Sequence, residues 1–224
     1  MNGALWSRLF PVQARLGARE LWMCALAAGF TIGLNAWLSQ MLLPGDYRIF
    51  LAASMGASTI LALVIYHSPL SQPWAILGGH LAGACAGLLA HTLVPSVLLA
   101  SMLAMALTVL LQVGLRCLHA PGGGTALLPV LGGAAVQAEG LGFIAVVALN
   151  AVVLVLAALV FNNLLPERRY PTSFFPSKPA SPPVFTTEEL QAAIADMHEV
   201  IDVSPDDLEK IFELALARRH AGAK

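Results

Sequence analysis

The run from His119 to Pro129, HAPGGGTALLP, is the part of this sequence whose residue types most directly suggest chemistry. Three glycines, Gly122, Gly123 and Gly124, stand between two prolines in an otherwise apolar stretch. A nucleotide-phosphate loop of the GxxxxGK[ST] type also needs a lysine to meet the phosphates, and no lysine precedes Lys178. Nucleotide binding is therefore disfavoured. A small anion is the remaining polar ligand. Glycines at a helix start let backbone N–H groups point into a cavity, where the helix end carries roughly half a positive charge. Thr125 adds a hydroxyl donor. The segment Gly56-Ala57-Ser58-Thr59 has the same small-residue character and is expected to form a second helix start, with Ser58 as its donor. The competing reading of both segments is close packing of helix backbones, which small residues also permit.

Four histidines lie near these segments. His80 follows Gly78-Gly79, and an ionisable residue inside an apolar stretch is a functional candidate by default. It can donate a hydrogen bond or carry a proton. His91 lies three helical turns further on the same face, with an interfacial position as its plainer reading. His67 and His119 begin two connecting segments, either as turn residues or as the lining of an entrance. Gly79, Gly83 and Gly87 form a GxxxGxxxG run, which is expected to be a close helix crossing. Cys24, Cys85 and Cys117 show no metal-ligand spacing and read as small packing residues.

The elements that would hold these groups belong to a membrane protein. The chain has 224 residues, 58% hydrophobic and 11% charged. Between Ile49 and Leu115 there is no Asp, Glu, Lys or Arg, and before Pro166 the only carboxylates are Glu20, Asp46 and Glu139. A net charge of -1 gives no reason to expect a nucleic-acid partner. Arg8, Arg15 and Arg19 precede an apolar run, Leu21 to Leu43, too long for a signal-peptide core and so read as a retained helix. Further spans are expected at about 49–66, 74–93, from 97 to about 118, and 141–164, with a short apolar piece at 125–136. The expected fold is an all-α polytopic bundle of about six spans, arranged as a 3+3 inverted repeat with short interrupted helices. Four spans with a re-entrant hairpin is the alternative. Basic residues at both ends put the N- and C-termini in the cytoplasm. Three regions follow: a membrane domain, 1–165; a Pro-rich linker, 166–185; and a helical cytoplasmic tail, 186–224. In the tail, Thr186 and Glu189 form a capping box, and Ser204-Pro205 starts a second helix with Leu208, Ile211, Phe212 and Ala215 on one face. The tail helices are expected to pack on each other, on the membrane domain or on a neighbouring copy in a homo-oligomer.

Cation pumps and proton-coupled carriers usually place Asp or Glu within their spans, and here only Glu20 lies even at an edge. A cation pathway is disfavoured. No metal, cofactor or catalytic triad is expected, and an enzyme would need a convergent set of ionisable groups that the sequence does not display. The rival to transport is a membrane scaffold or sensor whose tail docks a partner.

The motifs HSPLSQPWAILGGH and LHAPGGGTALLPVLGG, with GAS at Gly56–Ser58, resemble the HPP family of integral membrane proteins. The His-Pro-Pro motif is His119-Ala120-Pro121 here, its middle proline replaced by alanine. The tail resembles the helical segment of bacterial members, and this sequence is expected to lack the CBS domains of some others. The resemblance covers about Leu43 to Leu165 and implies membrane transport. Plastid relatives are linked to nitrite, so the implied partners are a small inorganic anion and the lipid bilayer, in a cell (inner) membrane. The substrate contacts expected are Gly56, Ala57, Ser58, Thr59, His80, His119, Gly122, Gly123, Gly124 and Thr125.

Overall fold

The computed structural model describes residues 16–42, 48–166, 168–174, 186–196, 202–203 and 205–221. Those residues form helices α1 (Ala18–Leu42), α2 (Arg48–Val64), α3 (Pro73–Leu93), α4 (Val97–Gly114), α5 (Pro121–Leu131), α6 (Gly133–Ala138), α7 (Gly142–Asn163), α8 (Thr187–Asp196) and α9 (Pro205–Ala221), with short 3-10 turns at Pro69–Ser71 and Thr172–Phe174. No strand occurs among the described residues.

Four helices, α1, α3, α4 and α7, are long and apolar enough to cross a membrane. At 1.5 Å per residue, even the 18 residues of α4 reach roughly 27 Å, near the ~30 Å of a hydrocarbon core. The chain is a multi-pass helical membrane protein. Of the six expected crossings, two are shorter elements. α2 has 17 residues and α5 has 11, roughly half a bilayer for α5. The apolar piece expected at 125–136 is not one helix. It breaks at Gly132, and Gly133 takes φ 74°, a backbone state that favours glycine, before α6 starts.

α3 is the hub. It packs on α4, α5 and α7, while α1 packs on α2 and α7. Its glycines explain the closest of these contacts. A Cβ on Gly83 would strike the carbonyl oxygen of Gly122, and one on Gly87 would strike that of Ala126. The expected close crossing at this run is present, and its partner is α5. Around it lies an apolar core that includes Met55, Ile76, Leu128, Phe143, Val147 and Leu154.

The boundary expected at 165 stops short of the membrane body. The Pro-rich composition of 166–185 suggested a linker, but Tyr170 and Arg168 are buried in the bundle. Tyr170 donates its hydroxyl proton to Ser71 O at 2.8 Å, and Thr172 N donates to Gln72 Oε1 at 3.1 Å. Burial pushes the Tyr170 phenol up from its ordinary pKa, which keeps it a donor. The capping box forms as expected: Thr186 N meets Glu189 Oε2 at 2.7 Å, and Glu189 N meets Thr186 Oγ1 at 3.2 Å. Ser204, the expected cap of α9, lies outside the described residues.

Candidate functional site

The helices bring four of the expected residues to one point in the interior. Ser58 comes from the middle of α2, His80 from the first half of α3, Thr125 from the first turn and a half of α5, and His119 from the segment before α5. All four are completely buried. Ser58 Oγ lies 2.8 Å from His80 Nε2 and 2.7 Å from His119 Nε2. His80 Nδ1 lies 2.7 Å from Thr125 Oγ1, and His119 Nδ1 lies 2.8 Å from Leu70 O. The two imidazoles meet edge to face, 5.0 Å between centroids.

A direction can be assigned to this chain of bonds from donor and acceptor chemistry. A carbonyl oxygen only accepts, so His119 Nδ1 carries the proton that meets Leu70 O. With the ring neutral, His119 Nε2 accepts the Ser58 hydroxyl proton. Ser58 Oγ then accepts from His80 Nε2–H, and His80 Nδ1 accepts from the Thr125 hydroxyl. Each side chain in the sequence Thr125, His80, Ser58, His119 donates to the next, and the last donates to the backbone at Leu70.

His119 owes its position to Gln112, in the last turn of α4. Gln112 Nε2 donates to Gly79 O at 3.0 Å and to His119 O at 3.1 Å, while Gln112 Oε1 accepts from His119 N at 3.1 Å. One amide thus fastens the His119 backbone on both sides and ties it to α3. The return from α4 is made by Arg116, at φ 53°, and Trp74 Nε1 holds Leu115 O at 3.1 Å.

The glycine segments do not act as expected. Gly122 N donates to His119 O at 2.9 Å and Gly123 N to Ala120 O at 3.0 Å, and Pro121 has no N–H. The amides at this helix start are therefore spent within the chain. Gly122 faces Gly79 and Gln112, Gly123 faces the Met105 side chain, and Gly124 faces Ser54. Gly122 and Gly123 serve close packing, Gly124 is exposed at ordinary contact distance from Ser54, and the helix start offers no free amide cradle. The reading of Gly56–Thr59 as a helix start also fails, because these residues sit inside the continuous α2. Their side chains diverge around that helix. Gly56 faces Ile32 of α1, Ala57 is exposed, and Thr59 bonds back to Met55 O at 2.8 Å. Of the four, Ser58 joins the buried cluster.

An open, mostly apolar groove of about 400 Å³ runs between α2 and α5, one residue away from Ser58 and Thr125 along each helix and lined by none of the four cluster side chains. It is lined by Ser54, Ala57, Pro121, Gly124, Leu127 and Leu131 among others. Its walls at Ala57 and Gly124 are the chain neighbours of Ser58 and Thr125. The volume far exceeds the ~30 Å³ share of one water.

The expectation that no ionisable groups converge is corrected: two imidazoles meet on one serine. The pairing is similar to the serine–histidine pair of acyl-transfer enzymes. It departs from that pattern in having a neutral carbonyl, Leu70 O, where such enzymes place a carboxylate, and a serine with no exposed surface. No group of three or more His, Cys, Asp or Glu that could hold a metal occurs among the described residues. His67 is exposed and stacks on Tyr66, and His91 is half-buried at the far end of α3.

A second polar cluster was not anticipated. Arg168 has 2% exposure, and its Nε lies 3.5 Å from Glu20 Oε1. Its guanidinium donates to Leu63 O and to Cys24 Sγ and lies 4.0 Å from the Tyr66 ring centre. The pair joins the start of α1 to the segment after α7.

The comparisons with known proteins agree with a multi-pass membrane bundle. The sequence matches the family description "HPP, transmembrane region" over residues 13–171. A transmembrane protein of Dictyostelium discoideum is 34% identical over 126 residues, which are 54% of this chain and 44% of that protein. A second Dictyostelium discoideum transmembrane protein is 35% identical over 166 residues, 72% of this chain and 52% of its own. The chain spans about half the length of these curated relatives. No solved structure matches it.

Proposed function

The chain belongs to the HPP family of transmembrane proteins, and on that premise we propose that it moves a small monovalent anion, nitrite first among the candidates, across the inner membrane of a bacterial cell with both termini in the cytoplasm. The observation that carries this reading is the buried chain Thr125, His80, Ser58, His119. It joins two hydroxyls and two imidazoles, all fully buried, by hydrogen bonds that link three helices and the segment before α5 in the interior of the bundle. Polar groups at such depth are costly and are retained where solutes pass.

Side chains take the role that the helix-start amides cannot fill. The groove between α2 and α5 holds a small ion beside Ala57 and Gly124. Rotation of the Ser58 and Thr125 hydroxyls out of the chain of bonds presents donors to it. The lack of carboxylates near the cluster favours negative over positive solutes. Uptake by liposomes containing the purified protein, compared across nitrite, nitrate, formate and chloride, tests the proposal. Selective, saturable flux supports it, and flux equal to protein-free liposomes for every anion contradicts it.

A scaffold reading draws on one feature, the exposed Ile211, Phe212 and Leu214 of α9. It predicts that removing residues 183–224 abolishes function in cells while His80→Ala leaves it intact. The transport reading predicts the reverse.

A further inference from the structure

We propose that Ser58, His80 and His119 form a one-proton site that fills together with the anion, so that anion and proton cross as a neutral pair. The inference rests on the anion-transport reading above.

The arrangement observed satisfies every member with both rings neutral. It also contains the means to accept one proton. Ser58 Oγ lies 3.3 Å from Ser54 O, an acceptor already within reach. When His119 Nε2 takes a proton, it changes from acceptor to donor. The Ser58 hydroxyl then turns to Ser54 O, and its oxygen accepts from His119 Nε2–H and His80 Nε2–H at once, using both lone pairs. No new partner is needed and no bond is lost. A second proton, on His80 Nδ1, would face the Thr125 hydroxyl and set two cationic rings 5.0 Å apart, which like-charge repulsion opposes. The site therefore holds one proton.

No carboxylate bonds either imidazole; Asp202, with Asp207 and Lys210 of α9 beside it, meets connection 65–68 through the Ser68 hydroxyl and not the cluster itself. The elements packed around the cluster are α2, α3, α4, α5 and α7 with the connections 65–72 and 115–120. Their titratable or charged side chains are Arg48, Tyr66, His67, His80, Cys85, His91, Arg116, Cys117 and His119, and none is a carboxylate. A buried imidazolium with no anionic partner is strongly disfavoured. So is an anion in an apolar groove with no cation. Each supplies what the other lacks, and by linkage each raises the affinity of the other by the same factor. One proton and one monovalent anion enter, both leave, and no net charge moves.

The test uses the full chain in liposomes that enclose a pH-reporting dye, with sodium nitrite and sodium nitrate as probes. Protein-free liposomes give the background from passive entry of the undissociated acid. Anion uptake and internal pH are read together while potassium and valinomycin clamp the membrane potential. The expected result is acidification of about one proton per anion, at a rate that the clamped potential does not change. Ser58→Ala, which lacks the hydroxyl that changes partner, is expected to lower the coupled acidification roughly tenfold. Anion uptake that follows the potential without acidification overturns the neutral-pair inference and leaves anion transport standing. No protein-dependent uptake of either anion overturns both.

Discussion

Gly83 and Gly122 touch backbone to backbone, and a Cβ on Gly83 would collide with the carbonyl oxygen of Gly122. This contact seats α5 against α3, and it brings Thr125 to His80 and His119 to Ser58. The chemistry of the cluster depends on a packing contact one turn away from it.

Gly83→Ala and Gly87→Ala are therefore expected to separate α3 from α5. Each adds a methyl group where a backbone oxygen already stands, an overpacking cost of roughly 1–3 kcal/mol. At Gly29 and Gly33 of α1, an added methyl group would have nothing within 4 Å, so alanine there is expected to be neutral or stabilising by up to ~1 kcal/mol through helix propensity. Thermal unfolding of the four variants in detergent distinguishes the two groups.

Gln112→Leu removes three hydrogen bonds that hold Gly79 and His119. His119 O keeps its bond from Gly122 N, but the buried His119 N–H loses its acceptor, which is expected to cost about 1–3 kcal/mol. Transport should fall more than stability, because His119 loses its position. Parallel unfolding and uptake measurements check this. Equal, small losses in both would mean that Gln112 does not position His119.

Thr125→Val keeps the shape of the side chain and removes the donor to His80 Nδ1. A folded protein is expected, with anion uptake lowered roughly tenfold, while Thr125→Ser retains most of the wild-type rate. A valine variant with full activity would remove Thr125 from the site.

Glu20→Gln leaves the Arg168 guanidinium buried without its charge partner. Breaking such a pair is expected to destabilise the bundle by roughly 3 kcal/mol. Arg168→Lys should not restore it, since one ammonium cannot reach Leu63 O, Cys24 and Glu20 together. Unfolding midpoints of both variants check the pair.

Much of the helix layout was legible in the sequence. Apolar runs bounded by Pro, Gly and charge marked α1, α2, α3, α4 and α7 to within a few residues, and the Gly79, Gly83, Gly87 spacing announced a close crossing. Ser58, His80, His119 and Thr125 could each be named as polar groups in apolar surroundings. Their meeting could not, since the bonds join residues 22, 61 and 45 positions apart. Gly122–Gly124 misled because the same small residues serve an anion cradle or a backbone contact, and local bonds to His119 and Ala120 decided between them. Gln112 and the Leu70 carbonyl gave no signal, being a lone neutral amide on an apolar helix and a backbone atom. Arg168 and Tyr170 were hidden by a proline-rich surrounding that looked like a linker.

The most direct measurement is nitrite and nitrate uptake by liposomes holding the wild-type protein or its Ser58→Ala variant at equal loading. Saturable uptake is predicted for the wild type, with a loss of roughly tenfold in the variant, whose two imidazoles no longer share a hydroxyl. Equal uptake by the two proteins would contradict a transport role for the buried cluster.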